Sequence, residues 1–149
     1  MSFRTGSGIL RSMMYKAIKF FGISALLLLP LWLGAQQPQD EAAELKQMRE
    51  AIDKQVDSYT DLLDLEVWQT FYLDSILTHD YDALRVELKD LQRAKMSNSD
   101  IYIRTQDKWA EQIYNSLQKV FNEEQWAKYL KSGAAREKKA RDKRAAKRK

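Results

Sequence analysis

From residue 40 onward, large apolar side chains recur at steps of three and four, the spacing of one face of an α-helix. Leu45, Met48, Ile52, Val56 and Tyr59 form the first such stripe, with Glu, Lys, Arg and Asp between them, and predict a helix from Asp40 to about Thr60. Phe71, Ile76/Leu77, Tyr81, Leu84, Leu88 and Leu91 predict a second over about 67–95. Trp109, Ile113, Leu117 and Val120/Phe121 predict a third over about 101–120, after the polar loop Met96–Asp100, whose Ser, Asn and Asp side chains bond to nearby backbone. A fourth opens at Asn122 and carries Trp126, Tyr129 and Leu130. The first boundary is weakly marked, because the stretch TDLLDLEVWQ holds no strong stop.

Between Pro38 and Gly133 there is no glycine and no proline. Tight-turned sheets need those residues, so the pattern predicts an all-α fold of three to four long helices with polar corners.

Two corners are written in similar terms. In Val120–Trp126, VFNEEQW, Asn122 can accept from freed backbone N–H groups while Gln125, three residues on, reaches back to the cap's own N–H. Phe121 and Trp126 are placed to close over this corner as a hydrophobic staple. Glu123 and Glu124 put negative charge where the helix dipole favours it. An apolar-x-x-x-Gln pattern recurs in LEVWQ, with Leu65, Glu66 and Gln69, although glutamate is a poor cap.

Composition adds a compartment. The chain has 149 residues, which sets one domain as the prior. Arg4, Arg11, Lys16 and Lys19 precede the apolar run Phe20–Ala35, which ends in a small residue before Gln36-Gln37. A basic flank, an apolar core and a small-residue exit predict a signal peptide over 1–35 and a periplasmic destination. The alternative is an uncleaved segment anchoring the chain to the inner membrane. The run is shorter than the roughly 20 residues a spanning helix needs, and Pro30 interrupts it. With no cysteine, the chain has neither disulfides nor a lipid-attachment thiol. The expected division is a signal over 1–35, a helical domain over 36–133 and a basic tail over 134–149.

Charge divides along the chain. Residues 131–149 hold ten Lys and Arg against Glu137 and Asp142, whereas the body before them is acidic. The tail has no large apolar side chain, so it is expected to be frayed or disordered beyond Gly133. Lys138, Lys139, Arg141, Lys143, Arg144, Lys147, Arg148 and Lys149 are its candidates for binding an anionic envelope surface. Nucleic acid is disfavoured by the export signal and by the lack of aromatics among these charges.

Catalytic chemistry finds little material. There is one histidine, no cysteine, and no glycine-rich phosphate loop. His79, Asp80 and Asp82 are the only His-carboxylate grouping. Neighbouring positions 79 and 80 lie on different helix faces, so a solvated surface is the expected reading and neither metal nor cofactor is assigned. Aromatic residues are numerous for a small helical domain. Most are needed as core anchors; Tyr72, Tyr102 and Tyr114 fall off the main stripes and are the candidates for a partner-binding surface.

An exported, cysteine-free helical chain with two such corners resembles the Spy/CpxP-like family of LTXXQ-motif periplasmic proteins. DLLDLEVWQ, Asp61–Gln69, looks like the first motif and VFNEEQWAKYL, Val120–Leu130, like the second. Glu66 and Asn122 stand where the family has threonine. The resemblance covers about residues 59–130. It implies a long-helix hairpin that pairs as an antiparallel homodimer into a curved cradle. It also implies an ATP-independent chaperone or envelope-stress accessory protein that binds unfolded or partner proteins and is not an enzyme. The competing expectation is a structural or tethering protein whose basic tail holds an anionic surface.

Overall fold

The computed structural model describes residues 41–148, and the fold is all-α. Helix α1 is Glu41–Leu63, α2 is Val67–Arg93, α3 is Ser99–Val120, α4 is Glu123–Tyr129 and α5 is Ala135–Ala146. The expected signal over 1–35 and Lys149 lie outside the described residues. Among the described residues no helix is long and apolar enough to cross a membrane.

Cross-helix bonds fix an up-down order. Lys89 of α2 pairs with Glu41 and Glu44 at the start of α1, while Thr70 near the start of α2 meets Thr60 near the end of α1. Glu87 of α2 meets Lys108 and Trp109 of α3, and Asp80 meets Gln112. Arg141 of α5 reaches Glu111 of α3, and Arg148 reaches Asp100. Helix α2 therefore runs antiparallel to α1, α3 to α2, and α5 to α3.

The core follows the apolar stripes with two departures, of which the first is Leu45 of α1, 36% exposed. Ile52, Val56, Tyr59 and Leu63 are buried on α1, Leu73 and Leu77 on α2, and Ile113 and Leu117 on α3. Phe71, expected on the buried stripe, is instead 66% exposed, and Leu73 takes its place. The reason is the corner: burying Gln69 sets the inner face at 69, 73 and 77, which turns position 71 outward.

The first two helices stop without glycine. Asp64 and Lys95 adopt left-handed backbone, at φ 52 and 51. Behind each, the N–H of Leu65 donates to Thr60 O and that of Met96 to Leu91 O, the long bond of a Schellman ending. Asn98 caps α3 by accepting from the Asp100 N–H at 2.9 Å.

The basic tail corrects the sequence expectation. Beyond Gly133 it is neither frayed nor disordered but forms α5, with Arg141 buried. Gly133, at φ 126, sits in a kink at Leu130–Ala134 that redirects the chain onto α3, and Ser132 Oγ covers the Tyr129 carbonyl freed there. Apolar periodicity missed this helix because long Arg and Lys side chains hold it, their charges meeting carboxylates on α3.

Candidate functional site

The two corners form one structure. Gln69 and Gln125 are both buried, and their amides bond each other twice: Gln69 Nε2 donates to Gln125 Oε1 at 2.7 Å, and Gln125 Nε2 donates to Gln69 Oε1 at 2.9 Å. Each Oε1 also accepts from the N–H of its own cap residue, Glu66 or Asn122, at 3.0 Å. Each Nε2 spends its second hydrogen on the end of a helix before the other corner. Gln69 reaches Val120 O at 2.9 Å, and Gln125 reaches Asp64 O at 3.4 Å. Two donors and two acceptors per amide are thus used, with approximate two-fold symmetry. That satisfaction is what permits two polar side chains to be buried where these helix ends meet.

Around this clasp the expected motif residues take different places. Asn122 caps α4 by accepting from the Gln125 N–H at 2.9 Å. Glu66 precedes α2 and its carboxylate accepts from the Trp68 indole N–H at 2.7 Å. Phe121 is buried, and its ring meets Tyr129 at 5.7 Å; Trp126 packs on Tyr114 and Tyr129. The staple thus closes through Tyr129, which also meets Tyr59 of α1 at 5.5 Å. Burial pushes the Tyr59 and Tyr129 hydroxyls far up, so both rings are neutral anchors.

The three tyrosines expected on a partner surface separate. Tyr114 lies between Trp126 and the Arg141 guanidinium, which stands 5.6 Å over its ring, so it serves packing. Tyr102 donates its hydroxyl to Met96 O and ties down the α2–α3 turn. Tyr72 alone is exposed among apolar neighbours. It packs edge-on against Trp68 and Phe71, at 6.1 and 5.8 Å, and Val67 beside them is 89% exposed.

Val67, Trp68 and Phe71 were missed as surface residues. A helical wheel separates them: 67, 68, 71 and 72 share one face of α2, opposite 69, 73 and 77. Both faces are apolar, so pattern alone does not say which is covered. Val67, Trp68 and Phe71 line, with Leu65 and Glu66, a shallow open groove at the corner.

The basic helix also divides. Lys138, Arg141, Arg144 and Arg148 face α3 and pair with Glu111, Asp107 and Asp100. Lys139, Lys143 and Lys147 lie exposed on the opposite face. His79 and Asp80 differ from expectation: His79 Nδ1 is 2.8 Å from Asp80 Oδ1, and buried Asp80 also accepts from Gln112. Asp82 turns away to Arg85. Among the described residues no group of three His, Cys, Asp or Glu could hold a metal ion.

Comparison with protein-family models, with curated proteins and with solved structures gives no match to this chain.

Proposed function

We propose that this chain is a periplasmic, ATP-independent chaperone-like or envelope-stress accessory protein that binds exposed apolar stretches of other polypeptides, a binding role and not a catalytic one. The observation that carries the reading is the uncovered aromatic face of Val67, Trp68, Phe71 and Tyr72, beside a corner that the Gln69–Gln125 clasp holds in place. Contiguous apolar surface of this kind is costly to leave in water and marks interaction sites. The corner spacing that resembles the LTXXQ motifs, and the export-like residues 1–35, support the same compartment and class. Homodimerisation belongs to this reading as the resemblance implies it. The test is aggregation of an unrelated unfolded protein without ATP. Wild-type protein is expected to slow it, and Phe71→Ser with Trp68→Ser to lose that effect while staying folded. Equal failure of wild type at several-fold excess overturns the reading.

A second reading has its own observation. Lys139, Lys143 and Lys147 form an outward row on α5 and are suited to an anionic envelope surface in a structural or tethering role. Replacing all three with glutamine is expected to abolish salt-sensitive binding to anionic vesicles; vesicles ignored by both forms would end that reading.

A further inference from the structure

The exposed aromatic face lies in a stretch with carboxylates and no cation. From Thr60 to Asp74 the charged side chains are Asp61, Asp64, Glu66 and Asp74, without one Lys or Arg. Asp74 is held by Arg49 at 2.9 Å. Glu66 is fixed by the Trp68 indole on the wall of the groove, and Asp61 and Asp64 are exposed. Lys128, which feels Asp64 as an attraction, is itself engaged by Glu124 at 2.8 Å. The rings add the same sign, since the faces of Trp, Tyr and Phe attract cations. The groove therefore offers apolar contact inside a negative field.

Resting on the proposed binding role, we infer that this corner selects cationic apolar segments: stretches of another polypeptide in which Lys or Arg alternates with large apolar side chains. Charge complementarity commits the site to that occupant. An anionic lipid surface would bring like charge against Asp61, Asp64 and Glu66. The basic helix of a second copy has alanine as its only apolar residue and cannot fill an aromatic groove. A segment carrying both features gains ring contact and neutralises the corner together.

The experiment is fluorescence anisotropy of labelled short peptides with the full chain. One peptide alternates Lys with Leu and Phe; the second has Glu for Lys; the third keeps Lys but has Ser for Leu and Phe. The first is expected to bind about tenfold or more tighter than either other, with most of that advantage lost at roughly 1 M salt, where charges are screened within about 3 Å. Asp61→Asn with Glu66→Gln is expected to erase the preference over the Glu peptide, and Phe71→Ser to weaken both apolar peptides. Equal binding of the two apolar peptides overturns the charge selection and leaves the binding role standing. Failure to bind either apolar peptide overturns both. Binding of the Lys–Ser peptide as tight as the first also overturns it, as does vesicle binding or self-association that Phe71→Ser abolishes without any peptide being bound.

Discussion

Gln69 and Gln125 hold each other by two amide hydrogen bonds across 56 positions of sequence, each also closing the cap of its own helix. Neither amide can be replaced without stranding the other. Gln69→Ala leaves Gln125, the Glu66 N–H and Val120 O each short of a partner, at about 1–3 kcal/mol for a buried group left unmade. In denaturant titrations the two single alanine variants are expected to be strongly destabilised and the double variant less so than their sum, with a coupling of about 0.5–3 kcal/mol. Simple additivity would mean the amides act separately.

Asn122→Ala removes a cap and not the clasp. A loss of about 1 kcal/mol is expected. Trp126→Ala is expected near the low end of aromatic truncations, about 3 kcal/mol, because Trp126 is only half-buried. Phe71→Ser, on the exposed face, is expected to change stability by no more than about 0.5 kcal/mol. Melting curves of the three variants test the ranking.

Gly133 holds a backbone angle of φ 126 that side chains rarely adopt, although open space surrounds it. Gly133→Ala is thus expected to cost about 1–3 kcal/mol through backbone strain alone. Amide exchange would locate the loss in 135–146, whose docking on α3 depends on that kink.

Glu137 tests the sign of a half-buried charge. Burial raises its carboxyl above the ordinary 4.5, against the attraction of Arg141 and Arg136. A raised acid favours the fold when protonated, so its contribution is fully present below the unfolded value and lost as pH rises through the folded one. Glu137→Gln is expected to raise the melting temperature at neutral pH and to give no gain below pH 4.5. Equal effects at both values would refute the assignment.

The docking of α5 is electrostatic, and exposed pairs weaken with salt. At roughly 1 M salt, faster amide exchange is expected in 135–146 while Leu73, Leu77 and Leu117 keep their protection. Uniform exchange across the chain would show that α5 is held by something other than its ion pairs.

The sequence displayed those features that are local. Spacing within one helix revealed the rods, and Asn122 with Gln125 three residues on revealed a cap, because both depend on neighbours along the chain. The clasp was hidden because its halves meet only when α2 and α4 start at the same place. Asp64 hid the first stop by taking a conformation that glycine usually signals. Phe71 and Leu73 are two positions apart in one apolar stretch, and only the burial of Gln69 decides between them. Helix α5 escaped notice because apolar periodicity does not register arginine stems held over carboxylates.

The amide pairing also sets an order of events. As the polypeptide emerges, everything up to Val120 can form rods side by side, yet the corner at Gln69 stays unfinished. A chain ending at Lys119 would keep the Gln69 bond to its own cap but leave both hydrogens of that amide without Val120 O and Gln125, so the latch needs residues from beyond the third rod.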